Sequence, residues 1–159
     1  MFFAALPYFL KFNGETFTMI QRIQSLWLLI VAIAAFATYT LTLYVGVLAN
    51  GSEKRFLLAD NFLLVIVIIA LGLLAMVNLF LFKNRKLQFR LAVFGALFSI
   101  GFIFLEYLMV EGFKKDNAVA TGSYQPGALL PIVMTVFFIM AARGIYKDEK
   151  LVKSLNRLR

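Results

Sequence analysis

Four long apolar segments, separated by short polar stretches, dominate the hydrophobic pattern of the chain. They cover residues 23–47, 62–82, 91–110 and 128–146. None shows the strict alternation of a half-buried strand, and each is far longer than a buried strand. A helix of about 20 residues crosses the ~30 Å hydrocarbon core of a bilayer and pairs its backbone groups within one segment. The pattern therefore predicts an all-α fold, a bundle of four transmembrane helices over residues 19–146.

The polar breaks between these segments contain residues that commonly start or end helices. A turn is predicted at residues 50–52, and residues 60–61 offer an N-cap for the second span. Pro131 falls in the first turn of the fourth helix, where its missing N–H group costs little. Because the fourth span is short, we expect Arg143 to extend toward the headgroups so that the helix can reach Tyr146.

The N-terminal residues 1–18 differ from the four spans. Their apolar stretch of about ten residues reaches only half of a bilayer, and Pro7 weakens it further as a span. We expect translation to start at Met19, with residues 1–18 as an upstream extension. A start at Met1, with a segment that lies at the membrane interface, is the alternative.

The C-terminal residues 147–159 form a basic tail whose apolar positions follow a helical spacing. These positions are Leu151, Val152, Leu155 and Leu158. One apolar stripe with basic residues around it predicts an amphipathic cytoplasmic helix that lies on the membrane surface or continues the fourth span. The stripe is expected to contact anionic lipid or, alternatively, a cytoplasmic partner protein.

The distribution of charge predicts the orientation in the membrane. The chain has 16 Lys and Arg against 8 Asp and Glu, and the basic residues cluster between the apolar segments rather than on a polar surface suited to nucleic acid. Eleven of them lie on the side of the middle connection and the tail, against four on the other side. Because short cytoplasmic loops are enriched in Lys and Arg, we expect both termini in the cytoplasm.

The residue inventory excludes several classes of chemistry. The chain has no cysteine and no histidine, which excludes disulfides, thiolate metal sites and histidine-based catalysis. It also lacks a glycine-rich phosphate loop, paired carboxylates at catalytic spacing and a cluster of metal ligands. We therefore expect no catalytic residue, no metal and no cofactor.

Glu106 is the candidate intramembrane functional residue. It lies about 15 residues beyond Leu91, or ~22 Å into a ~30 Å core. A carboxylate at that depth costs at least ~2.5 kcal/mol, so it should face the bundle interior, water or a partner. Inside the bundle it would bind a cation or carry a proton; near the outer interface it would reach water and mark the end of the span. Its expected partners are basic or hydroxyl side chains: Lys54, Arg55, Tyr39 and Tyr44.

Small and weakly polar residues suggest where the helices pack. On the first span they recur at every fourth position: Ala34, Thr38, Thr42 and Gly46. On the third span, Gly95 and Ser99 lie in a similar patch with Ala92 and Ala96. Such residues let helix backbones approach closely, and Asn78 in the second span can hydrogen-bond to a neighbouring helix. We expect these faces to form intramolecular contacts, with a surface for another membrane protein as the alternative.

Three segments together carry a family resemblance. They are residues 19–29 (MIQRIQSLWLL), 83–90 (KNRKLQFR) and 142–159 (ARGIYKDEKLVKSLNRLR). They resemble a bacterial family of small four-span membrane proteins that is known only as a domain of unknown function. The resemblance covers about residues 19–159 and implies a four-span fold in the bacterial inner membrane. It implies no activity, and no residue receives a role from it.

Three functions remain compatible with these observations. A small subunit or assembly factor of a membrane complex fits best, because the connections are short, reactive groups are scarce and the tail is basic and amphipathic. A small transporter or channel that acts through Glu106 as a homo-oligomer is the alternative. An enzyme that acts on lipid comes last. The lipid bilayer is the expected surrounding, with a membrane-protein partner and no nucleic acid.

Overall fold

The computed structural model describes residues 6–82 and 84–157, and it describes side chains over residues 23–82 and 84–150. The helices in these ranges are α1 (Leu6–Thr40), α2 (Phe62–Phe80), α3 (Arg85–Asp116) and α4 (Leu130–Arg157). The strands are β1 (Thr42–Leu48), β2 (Glu53–Leu57) and β3 (Val119–Tyr124). The fold is therefore mostly helical with one small sheet.

The four helices form a bundle in which consecutive helices run in opposite directions. Helix α4 packs against α1 and α3, and α2 packs against the same two helices. The connections from α1 to α2 and from α3 to α4 meet at the end that carries the three strands, here called the sheet end. The short connection from α2 to α3 lies at the opposite end, here called the far end.

All four helices are long and apolar enough to cross a membrane. The bundle interior is filled by fully buried apolar side chains such as Leu28, Phe102 and Phe138. Large apolar side chains also cover the outside: Phe62 is 79% exposed and Phe36 is 71% exposed. An apolar exterior of this extent is typical of helices whose surroundings are lipid rather than water.

Polar caps begin the central helices. Asn61 precedes α2, and its side-chain oxygen accepts hydrogen bonds from the backbone N–H groups of Leu63 and Leu64. Asn84 precedes α3 and accepts from the N–H group of Leu87 in the same way. These bonds satisfy donors that have no partner inside the helix. The cap predicted at residues 60–61 is thus provided by Asn61.

The prediction of an all-α fold is wrong at the sheet end. Strands β1, β2 and β3 form an antiparallel sheet in the order β2-β1-β3. The predicted turn at residues 50–52 connects β1 to β2, with Gly51 at a φ of +81°. The two connections that the sequence analysis treats as short loops therefore fold together into one structure that covers this end of the bundle.

The first predicted span is too long at its C-terminal end. Helix α1 ends at Thr40, and residues 42–48 form β1, so the last seven residues of the predicted span, 41–47, are not helical. This segment is as apolar as a transmembrane helix, but its Thr, Tyr and Val residues are those that favour strands. Hydrophobicity alone could not separate these two outcomes.

Close packing between β1 and β3 requires two glycines. A Cβ atom at Gly46 would lie 2.9 Å from both methyl carbons of Val119. A Cβ atom at Gly122, which is paired with Gly46, would lie 2.6 Å from the backbone oxygen of Val45 and from the ring of Tyr44. Tyr44 is almost completely buried, so its ring fills the space that these glycines leave.

Candidate functional site

Glu106 lies inside the bundle, on the buried face of α3. Its side chain is only 3% exposed, and the residues that share this face include Ser99, Phe102 and Val110. Within the part of the chain that the structure describes, its Oε1 atom is buried without a hydrogen-bond partner. The interfacial interpretation of this residue required the carboxyl group to reach water. Its burial shows that it does not.

Within the side chains that the structure describes, no hydrogen bond or ion pair joins Glu106 to the partners expected for it, Lys54, Arg55, Tyr39 and Tyr44. Lys54 donates to the side-chain oxygen of Asn117 at 2.6 Å, and its ammonium group lies 5.9 Å from the centre of the Phe113 ring. Tyr44 belongs to the sheet, and Tyr39 is 44% exposed on the outside of α1. A carboxyl oxygen left unpaired at this depth is able to accept a proton or to contribute to a cation site.

The small-residue positions fall into two groups. Ala34, Thr38, Gly95 and Ser99 are buried in the bundle. Thr42 and Gly46 lie in β1, so the predicted helical row on the first span ends at Thr38. The four buried positions of the first group make contacts within the chain.

The small residues on α3 bring it close to α4. The Oγ atom of Ser99 lies 2.9 Å from Oγ1 of Thr135, which joins the two helices by a hydrogen bond. A Cβ atom at Gly95 would lie 2.6 Å from the Phe138 ring and 2.8 Å from Leu74. The absence of a side chain at Gly95 therefore lets Phe138 fill the space between three helices.

Asn78 joins α2 to α3 near the far end. It is fully buried, and in the amide orientation that satisfies both of its atoms, the nitrogen donates to the backbone oxygen of Gln88 at 3.0 Å and the oxygen accepts from the N–H group of Ala92. The Gln88 side chain returns the contact, since its Nε2 donates to the backbone oxygen of Asn78 at 3.2 Å. The pair thus fixes the tight connection between these helices.

A second polar contact at the far end joins α1, α3 and α4. The Nε2 atom of Gln24 donates to Oδ2 of Asp148 at 2.7 Å, and Nη1 of Arg85 lies 3.9 Å from the same oxygen. Asp148 is only 2% exposed, and Gln24 is 6% exposed. A buried carboxylate requires such partners because removing it from water is costly. We call these three residues the far-end cluster.

Gly144 makes room for the far-end cluster. It lies one helical turn before Asp148, and a Cβ atom at this position would be 2.8 Å from Cγ of Gln24 and 3.3 Å from its amide nitrogen. Any larger residue would push the Gln24 side chain away from Asp148. The sequence around Gly144 therefore determines whether α1 and α4 can be joined at this level.

The tail is not a separate segment, because α4 continues through residue 147 without a break and ends at Arg157. Of the two arrangements predicted for residues 147–159, the described backbone has the continuous helix. The apolar stripe of the tail lies outside the described side chains: Leu151, Val152, Leu155 and Leu158. The far-end cluster lies just before this last part of α4.

The sheet end holds a polar cavity of about 620 Å³ between β2 and the last turns of α3. Lys54, Arg55, Asp60 and Asp116 line it, so both charges are present. Next to it, the Lys114 ammonium group donates a hydrogen bond of 2.6 Å to Oε1 of Glu111.

The same ammonium group faces two tyrosine rings of the sheet. It lies 5.1 Å from the centre of the Tyr44 ring and 5.4 Å from that of Tyr124. Partial burial raises the pKa of the Tyr124 hydroxyl group above its usual value. These contacts hold the sheet on the bundle.

Sequence reasoning missed the far-end cluster. Asp148 belongs to a run of charged residues, and for that reason it is read as part of a solvated tail. A signal was nevertheless present, since Ala141, Ile145 and Asp148 follow the helical spacing of the buried face of α4. Extending that face by one turn places a carboxylate in the bundle. Its partners Gln24 and Arg85 lie far away in the chain and could not be inferred.

Comparison with known proteins gives one result. Residues 20–158 match the model of a family described as domain of unknown function (DUF4293). No curated protein and no solved structure matches the chain. The three segments that carry the resemblance noted above contain all members of the far-end cluster and Gly144.

Proposed function

The chain belongs to the DUF4293 family, whose description as a domain of unknown function assigns no activity, and we therefore propose a function from its own geometry. The protein is a multi-pass protein of the bacterial inner membrane with both termini in the cytoplasm. It acts as a small subunit or assembly factor of a larger membrane complex and has no catalytic activity of its own.

Charge supports this orientation. The far end carries most of the described basic residues of the bundle: Arg85, Lys86, Arg90, Arg143, Lys147 and Lys150. The sheet end carries Lys54, Arg55, Lys114 and Lys115, and it also carries acidic residues. Because Lys and Arg are retained on the cytoplasmic side, the far end faces the cytoplasm and the sheet faces outward.

The observation that carries the proposal is the anchored extension of α4. This helix has 28 residues, which corresponds to ~42 Å, whereas a bilayer core is ~30 Å thick. Asp148 is tied to Gln24 of α1 at the far end, so the base of the extension is held against α1, and the helix continues beyond this contact through Arg157. A helix that is fixed at its base presents its apolar stripe in one orientation, which is what a docking surface for a partner requires.

The test is capture of a defined partner by the tail. Full-length protein, tagged in the turn at residues 50–52, carries a photo-crosslinking amino acid at Leu155 or, as a control, at Tyr39 on the outside of α1. The proposal predicts that the Leu155 probe links to one protein that co-purifies in stoichiometric amount, and that the Tyr39 probe does not. Replacement of Leu151 and Leu155 by Glu should abolish co-purification while the protein stays in the membrane.

Two results would overturn this proposal. One is a protein that purifies alone, with the Leu155 probe linked only to lipid or to a second copy of the chain. The other is a partner that remains in stoichiometric amount after both leucines are replaced. In that case the docking surface lies elsewhere in the molecule.

The unpartnered carboxyl oxygen of Glu106 favours a second candidate function. A buried carboxyl group in the middle of a helical bundle is the group that small ion or proton transporters need. Under this alternative, a homo-oligomer of the chain reconstituted in vesicles moves protons or a monovalent cation. The flux should disappear in Glu106→Gln and persist in Glu111→Gln, whose side chain lies at the surface beside Lys114. Equal flux in all three proteins, or none in any, would reject this alternative.

A further inference from the structure

We infer that a groove between α3 and α4 is a binding site for one anionic phospholipid of the inner leaflet. The groove has a volume of about 480 Å³, and among the described residues that line it only Arg143 is charged. The inference rests on the membrane orientation proposed above, but it does not depend on the proposed partner. Its apolar wall is formed mainly by Val93, Ala96, Leu97, Ile100, Ile139 and Ala142.

The length of the groove fits one acyl chain. Along α3 it extends from Phe89 to Ile100, which corresponds to ~16 Å of helix. Half of a ~30 Å bilayer core is ~15 Å, so the groove is as long as one leaflet is thick. One end of the groove lies beside Phe89, Arg143 and Tyr146, at the level of the basic residues, and the other lies beside Ile100, near the middle of α3.

The mouth of the groove has the groups that an anionic headgroup needs. Arg143 is exposed, and among the described residues no hydrogen bond or ion pair occupies its guanidinium group. Tyr146 lies one turn nearer the far end, with its ring centre 5.9 Å from that of Phe89. Aromatic rings of this kind settle at the headgroup level, and a guanidinium group binds phosphate with two parallel hydrogen bonds.

A second groove in the same molecule serves as a comparison. It lies between α1 and α2, has a volume of about 440 Å³ and is lined by residues such as Ala35, Phe36 and Gly72. Its lining, as far as the described side chains go, contains no charged residue. A lipid chain in that groove would therefore gain apolar contact without any preference for headgroup charge, whereas the α3–α4 groove combines both.

The experiment measures which lipid the full-length protein retains. Protein in a non-ionic detergent is exposed to equal amounts of phosphatidylglycerol and phosphatidylcholine with identical acyl chains, and bound lipids are counted by native mass spectrometry. We expect one phosphatidylglycerol to be retained in preference to phosphatidylcholine. Arg143→Gln should lower this preference about fivefold, the effect of one basic residue at a membrane surface. Arg90→Gln is the matched control, because Arg90 is also basic and exposed but does not line the groove.

A second pair of variants tests the apolar part of the groove. Val93→Trp and Leu97→Trp place a large ring in the groove. Both positions are exposed, so the new ring does not have to fit into the bundle interior. Each should reduce retention of both lipids while leaving Arg143 in place. Circular dichroism and resistance to carbonate extraction establish folding and membrane insertion separately from lipid binding.

Three outcomes would overturn the inference. An equal loss of preference in Arg143→Gln and Arg90→Gln would mean diffuse attraction to a basic surface. An unchanged preference in Arg143→Gln would remove the headgroup contact. Unchanged retention in both tryptophan variants would place the bound lipid outside the groove. Extraction of the wild-type protein by carbonate would instead show that the protein is not inserted in the membrane, which the site requires.

Discussion

Gln24 and Asp148 are 124 positions apart in the chain, and a hydrogen bond of 2.7 Å joins their side chains. The bond connects the first and last helices of the bundle where both continue beyond it. Because Asp148 is buried, its carboxylate depends on Gln24 and on the more distant guanidinium group of Arg85. This contact holds α4 against α1 just before the last turns of α4, so it links packing to the proposed docking role of the tail.

The first prediction concerns the energy of this contact. Asp148→Leu should lower the free energy of unfolding by about 1–3 kcal/mol, because it leaves the buried Gln24 amide without an acceptor. Asp148→Asn keeps an acceptor oxygen for Gln24 and removes only the charge that faces Arg85 at 3.9 Å, so its cost should be smaller than that of Asp148→Leu. Denaturation in mixed micelles measures both. Additive effects of Gln24→Leu and Asp148→Leu in a double-mutant cycle would show that the two side chains do not interact.

Two glycines on α3 provide a second prediction. Gly95→Ala should destabilise the protein by about 1–3 kcal/mol, because the new methyl group would meet the Phe138 ring at 2.6 Å and Leu74 at 2.8 Å. Gly101→Ala is the control on the same helix, where no atom lies within 4 Å of the added carbon. It should be neutral or stabilising by up to about 1 kcal/mol. Equal effects of the two substitutions on the melting temperature would contradict the close packing at Gly95.

The helical part of the fold could be predicted from the sequence because it depends on long uninterrupted apolar runs. The cap at Asn61 and the position of Pro131 were also readable, since both act locally. The sheet was not readable for two reasons. Strand β1 is as apolar as the helix before it, and strand β3 is exposed and weakly apolar, so neither has a distinctive hydrophobic pattern. Their pairing depends on contacts between segments that lie far apart in the chain.

The sequence could single out a candidate site residue only where an acidic residue is rare in its surroundings. Glu106 is an acid within an apolar run, and the cost of exposing a carboxylate to lipid marked it as a candidate, but the sequence left open whether it lies inside the bundle or reaches water at the interface. The structure places it inside the bundle. Asp148 is an acid within a charged run, and nothing local distinguishes it from a solvated residue. Its burial follows from the partners that α1 and α3 bring to it, so it becomes visible only in the folded structure.

A third prediction follows from Ala118, which has a φ of +49° between α3 and β3. A residue with a Cβ atom pays about 1–2 kcal/mol in this left-handed conformation, and glycine does not. Ala118→Gly should therefore raise the melting temperature, with a net gain of about 0.5–1 kcal/mol after the larger entropy of the unfolded chain is included. Ala120→Gly, in the extended backbone of β3, should lower it. A decrease in both variants would mean that Ala118 is not strained.

The last prediction tests the orientation of the bundle. The chain contains no cysteine, so single cysteines can be introduced without interference. Glu53 lies in β2 at the sheet end, Lys86 lies in the first turn of α3 at the far end, and both are exposed. In intact cells, a membrane-impermeant maleimide should label Glu53→Cys, whereas Lys86→Cys should react only after the membrane is opened. The reverse result would place the basic far end outside. The charge argument would then fail, and with it the inner-leaflet position of the lipid groove, although the groove and its arginine would remain available to the opposite leaflet.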